Sequence, residues 1–170
     1  MKQKIGKIRT LLRRYYHRMV SERGTPEYIA RGWAVGVFVG WMIPVGLQMV
    51  VSLPLALLFR GSKLGAVVGT CITNPVTILV IYPAQCYLGN LITGGSLSYG
   101  ELEVSLKELI EERTFAALGK LSREILVDFA LGGLVFAILT TPIAYVAVRS
   151  AVIAFRAKLA AHRRKKNPGV

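Results

Sequence analysis

The side chains best suited to chemistry are amides and hydroxyls beside two prolines buried in apolar sequence. Asn74 precedes Pro75 and is flanked by Thr73 and Thr77, and Gln48 follows Pro44 by one helical turn. A proline inside a helix lacks its backbone donor and frees a carbonyl four residues back. An amide or hydroxyl nearby can satisfy that carbonyl or offer its hydrogen bonds to a ligand. A substrate site is therefore expected at Pro44, Gln48, Thr73, Asn74, Pro75 and Thr77. Half-helices restarting after such breaks aim their positive N-terminal ends inward, where an anionic headgroup could be held. The competing reading is that these groups only cap the half-helices and bond one another, at about 0.6 kcal/mol per pair.

Nucleophilic or metal chemistry lacks material. The only histidines, His17 and His162, lie in basic terminal segments, and Cys71 and Cys86 have neither a CxxC spacing nor a nearby histidine. No catalytic residue, metal site or cofactor is expected, and the chain does not read as an enzyme. Asp128, one turn inside a third apolar segment, could carry a coupling proton. A carboxylate so near a helix start is more simply placed at the membrane interface, favoured by the helix dipole.

The elements that must position these groups are two charge-free stretches, residues 32–59 and 64–92. Each is longer than the roughly 20 residues that span a bilayer. As a straight helix of about 42 Å, each would exceed the roughly 30 Å of hydrocarbon. Broken at the proline, each yields two arms of about 18 Å, half a membrane. Hairpins that dip in and out, and tilted, kinked crossings, both fit those lengths. Paired breaks in neighbouring segments point to a binding site near the membrane midplane.

A shift of 29 residues superposes Gly36 on Gly65, Gly40 on Gly69, Ile43 on Ile72 and Pro54 on Pro83, the pattern of an internal repeat. Gly36/Gly40 and Gly65/Gly69 form GxxxG pairs, which permit close helix packing within a protomer or between protomers.

Around this centre the chain is basic, with net charge +13 and mean hydropathy +0.48. Nine Lys or Arg precede Gly32, and seven more lie between 149 and 166. Such charge on a soluble protein would suggest nucleic acid. Flanking membrane segments, it marks cytoplasmic ends and contact with anionic lipid, for which Arg13, Arg14, Arg18, Arg163 and Arg164 are the candidates. Residues 1–24 contain an amphipathic interfacial helix with Ile5, Ile8, Leu12, Tyr15, Tyr16 and Met19 on one stripe. Thr25 and Pro26 predict the start of a second helix. Residues 101–124 pattern as an amphipathic surface helix. Residues 125–148 form the last apolar segment, with a third proline break expected at Thr140-Thr141-Pro142. Residues 151–170 are a basic cytoplasmic tail.

Two cytoplasmic termini require an even number of crossings. Arg60 and Lys63 favour that same side, which would make the first segment re-entrant; a repeat would instead make the first two segments behave alike. Both topologies stand at this point. The fold class is all-α and membrane-integral: proline-broken hairpins, a C-terminal transmembrane helix and amphipathic surface helices.

The runs Pro26-Glu27…Ala30-Arg31-Gly32…Ala34-Val35-Gly36-Val37-Phe38…Gly40…Pro44…Gly46-Leu47-Gln48 and Gly69-Thr70…Thr73-Asn74-Pro75-Val76-Thr77 resemble the bacterial family called domain of unknown function 2062 (DUF2062). Family members often carry two prolines where this chain has Pro44-Val45. The resemblance covers about residues 21–150 and implies a small, multi-pass bacterial inner-membrane protein without a known activity. Some relatives are joined to glycosyltransferase-like domains, which implies lipid-linked sugar enzymes as partners. The expected function is binding or translocating an anionic lipid or lipid-linked substrate, as a homo-oligomer with no nucleic-acid partner. The alternative is a non-transporting scaffold or assembly partner.

Overall fold

A computed structural model of the chain describes residues 24–73, 77–95, 98–100, 104 and 123–166. Of the helices expected within 1–24 and at 101–124, residues 1–23 and all of 101–122 except residue 104 fall outside these residues, and Arg123 and Glu124 begin the last helix. The described residues form helices and connecting turns only.

Helix α1, Pro26–Met42, opens as its capping residues predict: the Thr25 hydroxyl accepts from the Tyr28 amide and Pro26 occupies the first turn. It stops at Ile43, which is extended (φ −120°, ψ 132°) because the residue before a proline is pushed out of the helical region. The chain reverses through Pro44–Leu47, where Gly46 takes φ +102°, a value other residues rarely adopt. Helix α2, Gln48–Leu58, then runs back along α1. A tight turn comes next, in which the Gly61 amide donates to the Ala56 carbonyl and the Ser62 amide to that of Tyr28.

Helix α3, Lys63–Gly69, is capped by the Ser62 hydroxyl on the Gly65 amide (2.8 Å) and tightens into a 3-10 turn, Thr70–Ile72. It lies parallel to α1, because Gly32, Gly36 and Gly40 meet Ser62, Ala66 and Thr70 in turn. After the second break, helix α4, Ile78–Thr93, does not turn back; it packs on the last helix. Gly94, at φ +74°, ends it in the left-handed conformation that favours glycine.

Helix α5, Arg123–Lys166, is continuous. The expected break at Thr140-Thr141-Pro142 is absent, and the helix runs through the apolar segment 125–148 into the basic tail as far as Lys166. Nothing after Pro142 resembles the Gly46 reversal, and the Thr140 hydroxyl donates to the Phe136 carbonyl (2.7 Å) within the preceding turn. Helix α1 packs antiparallel along α5, bridging both sides of Pro142: Trp41 stacks on Phe136 (4.6 Å) at one end, and Glu27 pairs with Arg149 (2.8 Å) at the other. Helix α4 occupies the stretch before that, with Tyr82 edge-on to Phe129. Thus α4 and α1 lie end to end on α5.

Among the described residues, α5 holds the one stretch long and apolar enough to cross a membrane, at mean hydropathy 2.0. Only 17% of it is buried, so its apolar side chains face outward rather than into a core. Val50, Leu58, Val80, Leu91, Ile138 and Ile143 extend that outward apolar belt.

Candidate functional site

The two breaks meet. Pro44 has no donor for the Gly40 carbonyl, and two side chains supply the missing bond: Gln48 Nε2 at 3.3 Å and Thr73 Oγ1 at 3.2 Å. The same Gln48 nitrogen donates to the Ile43 carbonyl (2.9 Å) and to Thr73 Oγ1 (2.7 Å). An amide has two hydrogens to give, so these acceptors use all of its donor capacity. Gln48 and Thr73 are both buried. Across the junction, the Val45 amide donates to the Tyr82 hydroxyl (2.6 Å), and Gln85 Nε2 donates to the carbonyls of Trp41 (3.0 Å) and Phe129 (2.8 Å). Three helices, α1, α4 and α5, are thereby tied together by side chains bonded to backbone.

Of the residues expected to bind substrate, Pro44, Gln48 and Thr73 converge here. Thr77 lies at the α4 entry, its hydroxyl on the Ile72 carbonyl (3.1 Å). Asn74 and Pro75 lie outside the described residues, as do Arg13, Arg14 and Arg18. Arg163 and Arg164 are carried on the end of α5. The four helix-packing glycines gather on the α1–α3 face within one chain: a Cβ on Gly36 would strike the Ala66 carbonyl and come within 2.8 Å of Gly69 Cα. Gly40 faces Thr70 and Ile72, and Gly65 faces Ile29 and Trp33.

From sequence, Asp128 is expected at the membrane interface, with a coupling proton as the alternative. Within the fold Asp128 is wholly buried, accepting from the Thr93 hydroxyl (2.9 Å), with the α4 backbone at Gly89 pressed against its own. The missing glycine side chain lets α4 and α5 approach backbone to backbone, which closes the space around the carboxylate. Gln85 was not among the expected site residues; its signal was an uncharged amide in an apolar run, the same that singled out Gln48.

At the far end of α1, Glu27 is exposed, and its own backbone amide together with Arg149 holds its carboxyl below the ordinary value. Arg156 donates to the Gly24 carbonyl (2.7 Å). Arg31, Arg60 and Lys63 sit at this same end, while Arg123 and Glu124 begin α5 at the opposite one.

A family model described as an uncharacterized protein conserved in bacteria, DUF2062, matches residues 9–160. The chain belongs to that family. The resemblance drawn from the proline runs is thus shown over most of the chain. Searches of curated proteins and of solved structures return no match for this DUF2062 chain.

Proposed function

We propose that this chain is an integral protein of the bacterial inner membrane that crosses twice, with its first broken segment re-entrant, and that binds or translocates an anionic lipid or lipid-linked substrate. The observation that carries the reading is the level of the polar junction on α5. Residues 129–148 carry no charge, and their helical length of about 30 Å matches the hydrocarbon thickness. The junction meets α5 from Phe129, through Gln85, to Phe136, through Trp41, and so reaches from one end of that run to near its middle. Ten residues separate Arg31 from Trp41, about 15 Å, which returns α1 to the interface on the Arg149 side. Helices α1 and α2 then form a hairpin dipping to mid-depth. The path α3–break–α4 traverses, and α5 crosses back. This topology keeps Arg31, Arg60, Lys63, Arg149 and Arg156 on one face, as the positive-inside rule requires. A cationic face above half-depth helices favours anionic headgroups.

Purified chain in mixed bilayer nanodiscs should retain phosphatidylglycerol over phosphatidylethanolamine when bound lipid is measured by native mass spectrometry. Equal retention of both would reject the lipid reading.

A second reading, a scaffold, draws on the self-satisfied junction: with the donors of Gln48 directed to backbone carbonyls and the Thr73 hydroxyl, the breaks serve packing. Deleting residues 158–170 separates the two, since a docking scaffold should lose its cellular role whereas a lipid protein should only weaken.

A further inference from the structure

Beside the junction, α1, α2 and α5 enclose a groove of about 460 Å³ lined by Arg31, Ala34, Val35, Phe38, Leu55 and Thr141, with Phe59 at its rim. That volume lies in the range of ligand pockets, roughly 300–1,000 Å³. Its wall is apolar, and of the residues that line it only Arg31 and Thr141 carry a polar group in the side chain. The Arg31 side chain forms no ion pair among the described residues: Glu27, one helical turn before it, is paired with Arg149 instead. The Thr141 hydroxyl oxygen is buried with no hydrogen-bond partner among them. An orphaned buried hydroxyl is unfavourable unless something fills its bonding capacity.

Resting on the membrane reading above, we propose that this groove holds one acyl chain of an anionic glycerophospholipid, with its phosphate against Arg31 and its ester region on the Thr141 hydroxyl. The depths agree. Arg31 stands at the interface, where phosphates lie. Counting along the antiparallel pair from Glu27–Arg149 to Trp41–Phe136 puts Thr141 level with Val35. That is one helical turn, about 6 Å, below Arg31, the order expected for esters under a phosphate. Ala34, Val35, Phe38 and Leu55 then offer the apolar wall that a chain descending toward the junction requires. The guanidinium suits the phosphate because it presents several donors in a planar fork. A second copy of this chain is a poorer occupant, since it would bury Arg31 while the neighbouring carboxylate, Glu27, is already paired with Arg149.

The test is lipid retention in nanodiscs containing phosphatidylglycerol and phosphatidylethanolamine, read by native mass spectrometry on monodisperse protein. Arg31→Gln should reduce the preference for phosphatidylglycerol about tenfold, the equivalent of one charge-assisted hydrogen bond. Lys63→Gln, which removes an exposed charge on the same face outside the groove, should leave it unchanged. Ala34→Trp should displace one bound lipid whatever its headgroup. Thr141→Val, which keeps the volume and removes the hydroxyl, should weaken retention of both lipids and serves where the tryptophan variant does not fold. If wild type prefers phosphatidylglycerol but Arg31→Gln and Thr141→Val behave as it does, the groove is not the site, although the broader lipid reading stands. An equal loss in Lys63→Gln and Arg31→Gln would overturn the proposal in favour of diffuse surface charge. No headgroup preference in wild type overturns both.

Discussion

Gln48 begins a helix with a side chain directed at the end of the previous one. Its amide lies within reach of the carbonyls of Ile43 and Gly40 and the hydroxyl of Thr73. Gln48→Leu should leave the Ile43 carbonyl without its partner, since Thr73 can still reach Gly40. A buried orphan costs about 1–3 kcal/mol in soluble proteins, and the unfolded state in a membrane finds substitutes that bring the figure to about 1 kcal/mol. The midpoint of unfolding in detergent should fall accordingly, and Thr77→Val, at a less buried position, should lower it less. Identical midpoints for both variants would mean the amide does not hold the junction. The residue types at this junction were legible in the sequence, because Gln48 and Thr73 are polar in runs that are otherwise apolar. Their partners were not: that Thr73 would reach the carbonyl freed by Pro44, 33 positions from Gly40, depends on α1 and α3 lying parallel. Arg31 and Thr141 were harder still, since each becomes notable only through what it lacks once folded.

Whether a proline breaks a helix is decided by its surroundings, and this chain contains both outcomes. Pro44 precedes Gly46 in a left-handed conformation and has Gln48 to cap its orphan, so the helix ends. Pro54, Pro83 and Pro142 lie within continuous helices. Reading Pro142 as a third break failed because sequence spacing carried no sign of the α1 face packed along both sides of it. Glycine spacing carried more. The paired GxxxG motifs announced close packing, and the α1–α3 contact uses both within one chain. Backbone lies on backbone there, so a side chain at Gly36 has nowhere to go: its Cβ meets the Ala66 carbonyl and the Cα of Gly69. Gly36→Leu should abolish the monodisperse peak in size-exclusion chromatography. Gly40→Ala should be tolerated, because the nearest atom to its Cβ is the movable Ile72 methyl, at 3.1 Å. The reverse order of severity would place the tight crossing elsewhere.

At the scale of the molecule, the charges and the contacts constrain each other. Lys and Arg counts alone left two topologies, because a repeat of the first two segments and a cytoplasmic Arg60 and Lys63 pull in different directions. The two broken segments differ in their second arms: α2 returns along α1, and α4 continues along α5 toward Arg123. The proposed topology puts residue 63 and residue 158 on one side of a bilayer and residue 99 on the other. Single cysteines decide it, in a background with Cys71→Ser and Cys86→Ala. Tyr99→Cys should react with a membrane-impermeant maleimide added to intact spheroplasts. Lys63→Cys and Lys158→Cys should react only after lysis. If position 63 labels together with position 99, α3–break–α4 does not cross. Helix α5 would then be the sole crossing, and its basic end would face away from Lys63. The cationic face that gathers Arg31, Arg60 and Lys63 with Arg149 would be divided by the membrane, against the Glu27–Arg149 pair that joins α1 to α5 at 2.8 Å. The labelling pattern therefore tests the contact between α1 and α5 as well as the topology built on it.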